Sequence, residues 1–226
     1  NNLVKEGINK KKVFVTGNLG YVGTVLHKRL LESKHDVTGC DIGYFPKSWN
    51  DEKNSFSKTL KKDIRDITKD DLIGYDAICH LAGLSNDPMG EINQSLTNEI
   101  NFLETVRLAK LAKQVGIQRF IFSSSCSAYG LNEDLVNEKS TLSPQTAYAK
   151  SKVNSEIELM KLQESTFSPI ILRNATVYGI SPNLRLDLVV NNLVGSAMSS
   201  GKIKLLSDGT AWRPLLHVED MADAFI

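Results

Sequence analysis

The sequence predicts an α/β fold, a doubly wound parallel sheet with helices on both faces. Three observations carry that prediction. Short β-branched apolar runs alternate with amphipathic helical stretches along most of the 226 residues. Within each run the apolar character is nearly continuous, as expected of strands buried on both faces. Between the first run and the first helix lies a glycine-spaced turn, Gly17-Asn18-Leu19-Gly20-Tyr21-Val22-Gly23.

The elements follow in order. Lys12-Val13-Phe14-Val15-Thr16 reads as a buried strand, and Gly20 to about Glu32 as a helix with Val22, Val25, Leu26 and Leu30 on its apolar face. Asp36 to Asp41 is a second strand, and a third precedes KKDIRD. Asp76 to Leu81 and Arg119 to Ser123 are further strands, with an amphipathic helix from Leu103 to Val115 between them, ended by Gly116. A helix runs from about Ala147 to Gln163, and Pro169 to Arg173 is the next strand. Parallel neighbours joined in this way need right-handed crossovers. After Tyr178-Gly179 the character changes. SPNLRLD reads as a loop and Leu188 to Ser200 as a helix, and HVEDMADAFI opens a helix that stops inside itself. The expectation is a truncated C-terminal part whose chain continues past Ile226.

Composition excludes several classes. With 41% hydrophobic and 23% charged residues the chain is neither disordered nor fibrous. A net charge of +1 gives no electrostatic footprint for nucleic acid. No apolar stretch is long enough to span a membrane, and NNLVKEGINKKK lacks the apolar core of a signal peptide. Cys40, Cys79 and Cys126 are scattered and apolar-flanked, which reads as reduced thiols in a cytoplasmic protein without a metal site.

The glycine turn is the first chemical signal. Glycines there let backbone approach a pyrophosphate, and the helix N-terminus adds free N–H groups and a positive dipole end. The spacing is G-x-x-G-x-x-G, not the more familiar G-x-G-x-x-G. Asp41 ends the second strand, where a carboxylate can accept hydrogen bonds from adenosine ribose hydroxyls. No arginine follows it in DIGYF, so NAD is favoured over NADP, whose 2′-phosphate would meet negative charge. A basic side chain reaching over, Lys47 or Lys58, would weaken that reading. Asp63 and Ile64 are candidates for the adenine edge, although by themselves they read as structural.

Tyr148-Ala149-Lys150-Ser151-Lys152 is the second signal. At i and i+4 on a helix, Tyr148 and Lys152 share a face. A neighbouring ammonium stabilises a phenolate and lowers the tyrosine pKa from its usual ~10, so that the phenol can exchange protons near neutrality. Ser123-Ser124-Ser125 ends a strand, on the side where open α/β sheets bind ligands.

With these residues the sequence resembles the extended short-chain dehydrogenase/reductases, in particular the NAD-dependent sugar-nucleotide epimerase/dehydratase family. The resemblance rests on GNLGYVG, on HLAG at His80 to Gly83, on SSSCSAYG, YAKSK and LRNATVYG, and on WRPLLHVED at Trp212 to Asp220. It implies a Rossmann-type NAD-binding domain over 12–178 and a smaller, partial substrate-binding lobe over 179–226. It further implies that Tyr148 is the general base and acid, that Lys152 binds the nicotinamide ribose, and that Ser125 is the catalytic hydroxyl. Leu81, Ala82 and Gly83 would lie along the cofactor, and Asn101 matches the family's helix-start asparagine. Arg213 and Asn191-Asn192-Leu193 match positions that bind the nucleotide diphosphate. Thr176 stands where many relatives carry asparagine.

The same resemblance narrows the reaction. Relatives that act as 4,6-dehydratases, eliminating water from a 4-keto intermediate, carry Asp-Glu where this chain has Cys126 and Ser127, and 3,5-epimerising relatives carry a cysteine at the Ser127 position. Cys126 and His217 are therefore expected to pack, not to catalyse. The expected activity is NAD-dependent epimerisation of a nucleotide sugar at C4. The alternatives are a net oxidoreductase on the same scaffold and, more remotely, a non-catalytic NAD-binding regulator. The latter is disfavoured because serine, tyrosine and lysine are all present. A homodimer is the expected assembly.

Overall fold

A computed structural model describes residues 10–44, 58–85, 87–132, 134–205, 208–210 and 212–226. Lys47 and most of the N-terminal tail lie outside these residues. Six parallel strands form one sheet: β1 (Lys12–Thr16), β2 (Asp36–Asp41), β3 (Thr59–Lys61), β4 (Ala77–His80), β5 (Arg119–Ser125) and β6 (Ser168–Asn174). Their order is β3-β2-β1-β4-β5-β6. The order reverses between β1 and β4, so the loops leaving these two strands diverge and open a crevice at their carboxyl ends.

Alternation along β1 divides the core in two. Val13 and Val15 face α1 (Tyr21–Glu32) through Leu26 and Leu30, and also meet Met221, Ala222 and Phe225 of α7 (Val218–Phe225). Residues 218–225, assigned from sequence to the C-terminal lobe, thus share this core, and the Arg29 guanidinium clasps Asp223 at 2.9 and 2.5 Å. Phe14 faces the other way, into a cluster with Ile78, Leu108, Phe120, Phe122, Leu159 and Phe167. That face is covered by α4 (Glu104–Gln114) and α5 (Ala147–Lys161).

Two departures from expectation concern the connections. The helix expected from Leu103 starts earlier: α2 (Asp87–Ile92) and α3 (Gln94–Asn98) lead through a π turn at Glu99–Leu103 into α4. Asn93 starts α3 by accepting from Leu96 N–H at 3.0 Å, a local cap that apolar periodicity does not register. A second, two-stranded parallel sheet joins β7 (Thr176–Tyr178) to β8 (Leu215–His217), with α6 (Val189–Ser200) between them in sequence. Three-residue strands carry no readable period.

His80 shows how the sheet is tied to α4. Thr105 Oγ1 donates to the Asn101 carbonyl at 2.8 Å, so it accepts from His80 Nε2 at 2.8 Å. His80 Nδ1 then accepts from Thr16 Oγ1 at 2.7 Å. This network fixes a neutral Nε2–H tautomer. Burial pushes the imidazole down to about 3, and buried His27 of α1 to about 4. Above pH ~6.5, where histidine is neutral folded or unfolded, neither costs anything. Below it the unfolded chain binds protons that the native chain refuses. Each histidine should then lower the unfolding free energy by about 1.4 kcal/mol per pH unit until its folded pKa is reached. Calorimetric Tm should fall steeply from pH 6 to pH 4, and less steeply in His80→Gln. An unchanged slope in that variant would remove His80 as the cause.

Candidate active site

The glycine turn leaves β1 at the crevice. Gly17 has φ +73°, and a Cβ there would stand 2.8 Å from the Ala82 backbone nitrogen. The turn therefore lies directly against Leu81-Ala82-Gly83, the backbone leaving β4. At Gly23 a Cβ would stand 1.9 Å from the Gly17 carbonyl oxygen, so α1 packs onto the turn at glycine distance. Gly20 precedes α1 without any side-chain cap, and the first-turn N–H groups keep the anion-binding character of a helix start. A backbone cradle that any side chain would fill, next to an uncapped helix N-terminus, fits a dinucleotide pyrophosphate.

Asp41 is joined to this turn. Its Oδ2 accepts from Leu19 N–H at 3.1 Å and its Oδ1 from Gly43 N–H at 2.8 Å. Each oxygen keeps a second lone pair for a ribose hydroxyl. Lys58 does not reach over, because it pairs with Asp36 at the opposite end of β2, at 2.8 Å. Asn18 contributes backbone alone. Its side chain is wholly buried, fills the space left by Gly39 and donates to Thr59 Oγ1 at 3.0 Å. The Asp63 carboxylate is held by the Arg65 guanidinium and caps a turn at Ile64–Asp66, while the Ile64 side chain lies in the core. Both side chains are thus engaged within the fold.

Across the crevice, Thr146 caps α5 by accepting from Ala149 N–H at 3.1 Å, which fixes where the Tyr148–Lys152 face begins. The Lys152 ammonium donates to the Ser123 carbonyl at 2.8 Å and lies 5.5 Å from the Tyr148 ring centre. Burial lowers it to about 8, against the opposing pull of Glu156. Ser125 ends β5, and its Oγ accepts from Ser127 N–H at 3.1 Å and Ser127 Oγ at 2.8 Å. With its lone pairs so engaged, Ser125 Oγ serves as a donor. Cys126, beside it, is half-buried; burial raises its thiol, and the hydrogen bond from Ser125 pulls it back down in part. Asn101 acts at one remove. Its amide accepts from Leu84 N–H at 2.8 Å and donates to Leu84 C=O at 2.9 Å, clamping the loop that continues from Gly83.

On the substrate side, one assignment needs correcting. The Asn191 side chain is buried: it accepts from Gly179 N–H at 3.0 Å and donates to Arg185 C=O at 3.0 Å and Tyr21 Oη at 3.2 Å. It braces the 179–191 segment and does not face a diphosphate. Asn192 likewise turns back, donating to Leu186 C=O at 2.9 Å, and Leu193 is half-buried. The brace continues through Tyr21 Oη to Gly179 C=O at 2.8 Å, Ser181 Oγ to Tyr21 C=O at 2.6 Å, and Asn183 to Leu19 C=O. Thr176 N–H donates to Pro214 C=O at 3.1 Å, so the β7–β8 pairing sets Thr176 beside the segment bearing exposed Arg213. Arg213 also lies close enough to Cys126 to pull its thiol down. His217 packs edge-on against Tyr178 at 5.3 Å and caps α7, as expected of a structural histidine.

A parallel sheet of this order, with a glycine cradle facing a tyrosine–lysine couple and a strand-end serine, defines a dinucleotide-dependent enzyme of the short-chain dehydrogenase type. The sequence matches the NAD dependent epimerase/dehydratase family over residues 13–226, and the chain belongs to that family. It is 28% identical over 223 residues to an uncharacterised UDP-glucose epimerase, YtcB, of Bacillus subtilis (strain 168), covering 92% of this chain and 69% of that protein. It is 28% identical over 230 residues to a UDP-glucose 4-epimerase of Mycolicibacterium smegmatis, covering 95% and 72%. Among solved structures it resembles MoeE5 in complex with UDP-glucose and NAD, with a TM-score of 0.82 and 27% identity, covering 94% of this chain and 70% of that one.

Proposed function

We propose that this protein epimerises a nucleotide-activated sugar at C4 with NAD as its resident cofactor. The observation that carries the reading is the Tyr148–Lys152 couple docked through Ser123 on the strand that ends in Ser125, with no carboxylate at Cys126 or Ser127. Bound NAD supplies a reversible hydride acceptor. The Lys152 ammonium stabilises Tyr148 as a phenolate, which takes the C4 hydroxyl proton and becomes the phenol. Ser125 donates to the C4 oxygen, holding it in place as the proton leaves. Tyr148 later returns its proton to the same oxygen after the sugar has turned over. Asp41 holds the adenosine ribose. Arg213 is suited to a bidentate contact with the diphosphate, and Thr176 beside its segment offers a hydroxyl to the sugar.

Without a carboxylate next to Ser125, elimination of water from a 4-keto sugar lacks its acid and base. The UDP-glucose epimerases among its relatives support a uridine nucleotide. A homodimer is supported by exposed apolar side chains at Leu103 and at Ile157 of α5. Three free thiols suit a reducing cytoplasm, and among the described residues no helix is long and apolar enough to cross a membrane.

Incubation with UDP-hexoses, followed by NMR of the sugar anomeric protons, should show interconversion of C4 epimers without net NADH formation. Stoichiometric NADH with release of an oxidised sugar would replace epimerisation by net oxidation on the same residues.

A further inference from the structure

Behind Lys152 lies a buried ion pair that the proton chemistry above does not use. Glu156, one turn further along α5, is 6% exposed at its side chain. It accepts from the Arg173 guanidinium of β6 at 3.0 Å from Nε and 2.6 Å from Nη2, and also from Ser124 Oγ. Arg173 Nη1 donates to Tyr129 Oη at 3.1 Å and to the Glu138 carbonyl. Arg173 thus stands in the strand that pairs with Ser123, Ser124 and Ser125 of β5. A buried pair of this kind is weak evidence for stability, because desolvation offsets much of its attraction. Its position suggests another use. The groups facing Lys152 are Tyr148 and Glu156 of α5, the Phe122 ring and Ser123 carbonyl of β5, and neutral His80 of β4.

We propose that Glu156 and Arg173 are positioning residues for the Tyr148–Lys152 couple: their mutual neutrality sets the field behind the ammonium and so the pH range in which Tyr148 exchanges its proton. The inference rests on the role given to Tyr148 and Lys152 above. Removing Glu156 alone leaves the Arg173 cation uncompensated. The couple then loses its first proton at lower pH, and more of that proton comes from Lys152, leaving a phenol beside a neutral amine that cannot serve as base. Removing Arg173 alone leaves an anion and does the reverse. Removing both restores neutrality.

The test is the pH profile of kcat/KM in Glu156→Gln, Arg173→Met and the double variant, with a phenolate absorbance titration of each against its Tyr148→Phe counterpart. The apparent pKa of the couple should move down by about one unit in the first variant, up by about one in the second, and return close to wild type in the double. Shifts of the same sign in the two single variants, or a double variant no nearer wild type, would overturn the proposal. A merely structural role would lower activity in both without opposite shifts. Should a single variant fail to fold, Arg173→Lys keeps the charge while losing the two-pronged geometry. It should hold the wild-type profile, and a shift there also overturns the proposal. The absorbance readout does not depend on turnover. If Tyr148→Phe remained active, the catalytic reading would fail while the field proposal was still measured.

Discussion

Tyr148→Phe should bind NAD as the wild type does and lose turnover by about 10²- to 10⁴-fold, the usual contribution of a positioned acid–base group. The substitution removes one oxygen and keeps the ring that packs 5.5 Å from Lys152, so the helix face and the buried ammonium stay in place. The two measurements needed are an epimerisation rate and an NAD titration by fluorescence. Retention of more than about a tenth of the activity would take proton transfer away from Tyr148. Loss of NAD binding along with turnover would instead show that the hydroxyl holds the cofactor as well as exchanging the proton.

Gly23→Ala should abolish NAD binding and destabilise the fold. Alanine is the better helix former by about 1 kcal/mol, so propensity alone forecasts a gain. The neighbours forecast the opposite, since the new Cβ would lie 1.9 Å from the Gly17 oxygen and 2.8 Å from the Asn18 Cα, both backbone. Backbone cannot rotate away, and the turn must move by an ångström or more. A displacement of that size at a binding site can cost about 10²-fold, and overpacking adds about 1–3 kcal/mol of lost stability. Gly195→Ala in α6 is the control, because its Cβ would meet only the flexible Leu186 Cδ2, at 3.3 Å. Its Tm should hold or rise slightly. Equal losses in the two variants, read by NAD titration and by Tm, would refute the packing argument at Gly23.

The strands and α1 were legible because burial on both faces writes continuous apolar runs and helical periods directly into residues such as Val13–Val15 and Leu26–Leu30. The glycine turn was legible because close backbone approach excludes every other residue type at Gly23. Tyr148 and Lys152 were legible because a helix turns spacing into geometry. Asn191 was not. Its place at a helix start suggests an outward, ligand-facing amide, but its direction is decided by Gly179, Arg185 and Tyr21 Oη, partners that adjacency in sequence does not reveal. Glu156 had the signal, four residues beyond Lys152, yet an acid at that spacing also reads as half of a solvated helix-surface pair. Only the arrival of Arg173 from β6 distinguishes the two. The β7–β8 pair was beyond reach for its brevity, and with it the placing of Thr176 beside the Arg213 segment.

The brace between the glycine turn and residues 179–191 has a consequence in time. Tyr21, Thr24 and Leu19 are translated early, whereas their partners Gly179, Ser181, Asn183 and Asn191 lie 157 to 170 residues later. Contacts this distant in sequence form late, after a large loop-closure entropy has been overcome. A nascent chain halted before Gly179 would carry every glycine of the turn without any of these braces to it. At roughly 5–20 residues per second, about ten to thirty seconds separate synthesis of the cradle from synthesis of the groups that close it. During that interval the first βαβ units have to keep their apolar faces covered without a ligand to stabilise them.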